Sequence, residues 1–149
     1  MAGLMNAGPL GVIQARTMAY AIEGGPSDEQ VKMCQDAWQK VVAVDPTYKT
    51  QTQLLYSNLF TIAPEALQLF SFRDEPDLYN SPKLLKHGKN VMKYMNAAIM
   101  DLEKNDQKIN DLGHRHLKYG VVGAHFDILG QAVLKTLETA LGEEWTPDL

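Results

Sequence analysis

Ser81-Pro82-Lys83-Leu84-Leu85-Lys86-His87-Gly88-Lys89-Asn90-Val91 decides the fold class. Ser81 is a good helix N-cap, and Pro82 takes the first helical position, where its missing N–H is no loss and its fixed φ suits the turn. Leu84, Leu85, Val91, Met95, Ala98, Ile99 and Leu102 then recur at helical spacing and carry the helix to about Glu103. His87 rides on this helix. A second imidazole closes Leu112-Gly113-His114-Arg115-His116, a short helix after the polar stretch Asn105 to Asn110. Neutral imidazole is a good metal ligand, so two histidine-bearing helices with a polar connection between them are a candidate site.

Outward from this pair, nearly every segment reads with a helical period, and Gly, Pro and Asp supply the breaks. Pro9 to Glu23 places Leu10, Ile13, Thr17 and Tyr20 on one face, and Gly24-Gly25-Pro26 ends it. Ser27 caps the next helix, with Asp28 and Glu29 in the first turn where the helix dipole favours negative charge. Val31, Cys34, Trp38, Val41 and Val42 form its apolar stripe. Asp45-Pro46 is a corner. Thr50 to Ile62 follows with Leu55, Tyr56, Leu59 and Phe60, then a short segment from Pro64 to Phe70 and a loop from Ser71 to Asn80. After His116, Gly120 marks a corner and Val121 to Leu141 is strongly apolar, stopped by Gly142. The expected class is all-α.

The 149 residues are one domain's worth of chain, with 45% hydrophobic and 21% charged residues, as in ordinary globular proteins. A formal net charge of −4 offers no basic stripe for nucleic acid. Cys34 is the only cysteine, which excludes an internal disulfide and fits a reducing compartment. No apolar run is long enough to span a membrane. The N-terminus lacks a signal-peptide pattern, and Ala2 fails the myristoylation pattern. A cytoplasmic location is expected. No nucleophile–base pair, phosphate-cradling glycine loop or CxxC motif stands out.

Taken together, the landmarks resemble a globin, and the local wording is similar to neuroglobin-like and invertebrate single-domain members. Trp38 resembles the tryptophan near the end of that family's first helix, and Pro64 the proline opening its third. Phe70 falls where the family places a phenylalanine on the haem. Lys86-His87-Gly88 with Val91 resembles the distal segment, and Leu112 to His116 the proximal one. Gly120-Val121, Phe126 and Leu129 resemble the start of the next, haem-lining helix, and Leu141 to Pro147 the corner before the last helix. The sequence ends at Leu149, without that last helix, whereas Gly11 to Met18 loosely resembles it. We therefore expect a circular permutation: one domain over 1–149, with 27–149 giving the first through penultimate helices and 1–25 a helix and linker standing in for the last; the rival is a genuine pre-helix with a truncated or swapped tail. Pro9 to Glu23 should then lie antiparallel against Val121 to Leu141.

The resemblance implies haem b as cofactor and assigns roles. His116 would be the proximal iron ligand, with its other ring nitrogen bonded to a backbone carbonyl one turn back, near Leu112, which fixes the tautomer. His87 would be the distal donor to dioxygen or, alternatively, a sixth iron ligand that must leave before gas binds. Tyr56, eight positions before Pro64, would add a second donor to the gas. Phe70, Val91, Leu112, Val121, Phe126 and Leu129 would line the pocket, with Phe72 nearby. Lys83, Lys86, Asn90 and Arg115 are candidates for the propionates, and Met92, Met95 and Met100 are filler. The implied function is reversible dioxygen binding for storage, transport or sensing. The alternative is nitric oxide dioxygenation, nitrite or peroxide chemistry, or redox signalling with His87 on the iron. Any turnover would need an external reductase, because no flavin or nicotinamide domain fits in this chain.

Overall fold

The computed structural model describes residues 25–101 and 106–149, with backbone alone over 106–110. Five α-helices follow in order: α1 (Asp28–Val44), α2 (Lys49–Ile62), α3 (Pro82–Met100), α4 (Asp106–Lys118) and α5 (Gly123–Leu141). Short 3-10 turns lie at Pro64–Leu69, Leu78–Asn80 and Gly142–Glu144. Among the described residues there is no strand, so the class is all-α. The helix expected at Pro9 to Glu23, and with it the permutation, lies outside the described residues.

Local chemistry explains most of the helix ends. The Ser27 hydroxyl accepts from the Gln30 N–H, and the Gln30 side chain accepts from the Ser27 N–H, a reciprocal capping box that starts α1. Ser81 caps α3 by accepting from the Leu84 N–H, with Pro82 in the first position as expected. The start of α2 is different. Its N-cap, Tyr48, has φ 64 and no capping side chain. Instead the Asp45 carboxylate reaches forward, accepting from the Thr50 N–H at 3.0 Å and from the Thr47 hydroxyl at 2.6 Å. The Thr47 side chain and the Thr50 N–H hold this carboxyl well below the ordinary range. Gln51, buried, turns back and donates to the carbonyls of Val41 (2.8 Å) and Asp45 (3.1 Å), so that carbonyls at the end of α1 find a donor there.

Two boundaries differ from the sequence expectation. The polar stretch read as a connection is helical from Asp106, and α4 runs on to Lys118. The following helix begins at Gly123 rather than Val121, because the left-handed turn at Gly120 (φ 79) leaves two further residues outside the ladder.

α2 packs on α3 and α5, and α1 on all three, around Trp38, Leu55, Tyr56, Leu59, Phe60, Phe72, Leu84, Met92 and Ala132. Burying a side chain such as Leu55 or Leu84 contributes about 1.5–3 kcal/mol. Polar ties fix the angles between helices. Trp38 donates to Asn96 at 3.0 Å, Asn58 to Thr136 at 3.0 Å, and Gln53 to the Tyr79 carbonyl at 3.0 Å. By contrast, α4 has no comparable helix packing among the described residues.

The tightest approach is between α2 and α3. Gly88 is buried, and a Cβ placed there would lie 2.0 Å from the Thr52 methyl carbon. Glycine inside a helix costs about 1 kcal/mol relative to alanine. Here it is required, because any side chain would force the helices apart. The crossing brings Tyr56, one turn after Thr52, beside His87, the residue before Gly88.

Candidate functional site

His87 sits half-buried among aromatic rings. Its ring centroid is 6.0 Å from Tyr56, 5.6 Å from Phe70 and 5.9 Å from Phe72. Phe70 and Phe72 stack on each other at 4.9 Å, and Tyr56 meets both edge-on. The short 3-10 turn from Pro64 ends at Phe70, and the chain then turns so that both phenylalanines reach the His87 face.

Tyr56 is only 2% exposed. Among the described residues its hydroxyl has no hydrogen-bond partner, so a core tyrosine tied to the backbone does not describe it. Burial pushes the phenol well above its ordinary value of 10.0, and it stays protonated, an O–H donor, at any physiological pH. Burial also lowers the His87 pKa, and a proton on His116 would lower it further. His87 is therefore a neutral imidazole with one N–H to give. The two imidazoles lie close enough for a proton on one to be felt by the other.

His116, on the last turn of α4, is half-buried. Its Nδ1 is 2.8 Å from the Leu112 carbonyl, the partner expected from the sequence. A carbonyl can only accept, so Nδ1 carries the proton, and in the neutral ring Nε2 keeps its lone pair. Phe126 lies edge-on to the ring at 5.8 Å and Tyr119 at 6.4 Å. His114 is exposed, as a position two residues away on a helix should be.

The remaining candidates divide. Val91 and Leu129 are half-buried and pack on the core. Leu112 and Val121 are half-buried near His116 in the chain. Phe126 is 44% exposed, on apolar surface that also includes Leu117, Tyr119 and Val122. Of the charged candidates, Lys83 is paired with Glu75 at 2.7 Å. Arg115 donates to the Tyr94 hydroxyl at 3.4 Å. Lys86 and Asn90 are exposed. Met92 is core, Met95 packs against it, and the exposed Met100 sulfur takes a weak contact from Gln39, so none is placed as a ligand.

Sequence reasoning passed over three residues. Thr52 and Gly88 set the helix crossing, and only the glycine in mid-helix hinted at it. Tyr119, three positions after His116 and one past the end of α4, could have been found from that spacing.

With this geometry in place, comparisons with known proteins are informative. A family model described as Globin matches residues 53–149. The protein named anaerobic nitrite reductase AHB2 of Arabidopsis thaliana is 31% identical over 135 residues, covering 85% of this chain and 84% of its own length. Leghemoglobin 49 of Vicia faba is 30% identical over 129 residues, covering 84% and 86%. Leghemoglobin-1 of Lupinus luteus is 31% identical over 132 residues, covering 83% and 82%.

Proposed function

The chain belongs to the globin family and is a haem b protein, and from that premise we propose that it binds dioxygen reversibly, with His116 as the iron ligand and Tyr56 and His87 as donors to the gas. The residues present fit the cofactor. Nε2 of His116 keeps a free lone pair because Nδ1 is engaged by Leu112. Among the described residues α4 stands without close helix packing, and Phe126 leaves apolar surface open beside the imidazole, as a flat apolar ring requires. When bound, the haem supplies a ferrous iron that takes and releases a diatomic gas.

The observation that carries the reading is the Tyr56 hydroxyl: on a buried side chain, protonated, without a partner among the described residues, and beside a neutral His87. A donor with no partner in the fold is free to give its hydrogen bond to a ligand. Dioxygen polarises on binding and accepts well; carbon monoxide accepts poorly. Each donor contributes about 0.5–1.5 kcal/mol, so two slow the release of dioxygen and suit storage or sensing more than fast delivery. Phe70, Val91, Leu112, Val121, Phe126 and Leu129 exclude water from the gas in this reading. The reading places the protein in the cytoplasm, in keeping with its single cysteine, and leaves re-reduction of oxidised iron to an external reductase.

The test is to reconstitute the protein with haem, reduce it, record the deoxygenated spectrum, and cycle it through oxygen and vacuum. A five-coordinate ferrous spectrum that returns after each cycle supports the reading. Irreversible oxidation at first contact with oxygen overturns it. A second reading, nitrite reduction, is favoured by the name of the Arabidopsis relative and by two adjacent donors able to hydrogen-bond a nitrite oxygen. Steady nitric oxide formation over many turnovers, with nitrite and a reductase supplied, would establish that activity.

A further inference from the structure

We propose that Thr52 is a positioning residue for the gas-binding pair: wedged against the bare backbone of Gly88, it sets the separation of the Tyr56 and His87 rings and through it the dioxygen dissociation rate. This rests on the reading above that Tyr56 and His87 face the gas.

Thr52 is fully buried at 0% exposure. Both of its γ atoms face Gly88, since a Cβ there would lie 2.0 Å from the methyl and 2.8 Å from the hydroxyl. Thr52 and Tyr56 are one turn apart on the same face of α2. His87 precedes Gly88 on α3. The contact is thus within one turn of one donor and one residue of the other, and the spacing it fixes reaches both almost undiminished.

The Thr52 hydroxyl carries a second observation. It is buried and has no hydrogen-bond partner. A helical threonine ordinarily bonds the carbonyl four residues back, and Thr61, Thr136 and Thr139 do so here at 2.7, 2.7 and 2.9 Å. Thr52 leaves that bond unmade. A residue chosen for its hydroxyl would not, so its bulk at the crossing is what the position uses. Hydrogen bonds weaken over a few tenths of an ångström beyond their normal range, so a small change at the crossing is read at the donors.

The experiment uses the haem-loaded protein and two readouts: dioxygen dissociation, and NMR cross-peaks between the Tyr56 and His87 rings, the latter also in the apoprotein. Thr52→Ala should alter the cross-peaks and speed dissociation about threefold to tenfold. In a Tyr56→Phe background the rate effect should shrink markedly. Thr52→Val, which keeps the shape, should restore the parent cross-peaks and rate. Gly88→Ala should also speed dissociation, and less so when combined with Thr52→Ala. Thr52→Ser, which removes only the methyl, carries the same test at less risk to folding. Unchanged cross-peaks in Thr52→Ala, or an equal rate effect with and without the Tyr56 hydroxyl, overturn the proposal. If Tyr56→Phe alone keeps the parent rate, it is the gas-facing reading that fails; that failure is recognisable because the Thr52→Ala cross-peaks still move.

Discussion

Tyr56→Phe separates ligand chemistry from folding. The substitution removes one oxygen and leaves the ring, so the contacts with Phe60 at 5.8 Å, Phe70 at 5.7 Å, Phe72 at 6.0 Å and His87 at 6.0 Å are all retained. Because the hydroxyl has no partner among the described residues, no hydrogen bond within the protein is lost. Stability should stay within about 0.5 kcal/mol of the parent. The gas loses one donor. At 0.5–1.5 kcal/mol for a neutral hydrogen bond, dioxygen dissociation should accelerate about threefold to tenfold, and carbon monoxide dissociation by less than about twofold. Stopped-flow displacement of one gas by the other gives both rates, and urea unfolding of the same samples gives the stability. An unchanged dioxygen rate would refute the role. So would a loss above about 2 kcal/mol in stability, which would mean that the hydroxyl is bonded inside the fold.

Other consequences follow from the same contacts. Leu55→Ala, at a site with 0% exposure, should destabilise the protein by about 2–5 kcal/mol in denaturant unfolding. Gln51→Ala frees the carbonyls of Val41 and Asp45 and should cost about 1–3 kcal/mol by the same assay. Tyr56 also gives an alkaline signature. Its folded pKa is raised above 10.0, so its contribution is complete below pH 10 and is lost as pH rises toward the folded value. Stability should therefore fall above pH 10, and the decline should be shallower in Tyr56→Phe, measured by unfolding across that range.

Much of the fold could be read from local signals. Ser27 and Ser81-Pro82 announced two helices whose caps form as their chemistry requires. The Leu112 carbonyl was predictable as the His116 partner because helical geometry puts it one turn back. Where the deciding group is distant in sequence, the reading fell short. α2 is started by Asp45, five residues before the N–H it accepts from, and no residue at the cap position marks it. α4 begins in a polar stretch with few apolar residues, so its first turns read as a connection. The site was legible as residue types and order, whereas its arrangement was not. That Tyr56 lacks a partner, that Phe72 closes on His87 beside Phe70, and that Thr52 and Gly88 set the crossing are all properties of packed helices.

His116 bears the greatest weight, and His116→Gly with free imidazole tests it most directly. The substitution opens the space of one imidazole ring on α4 and leaves Tyr56, His87 and the aromatic cluster untouched. Haem titration followed by absorption spectroscopy should show weakened binding and an altered ferrous spectrum, and millimolar imidazole should restore the parent spectrum. A His116→Gly protein that binds haem with parent affinity and an unchanged ferrous spectrum, without imidazole, would contradict the account.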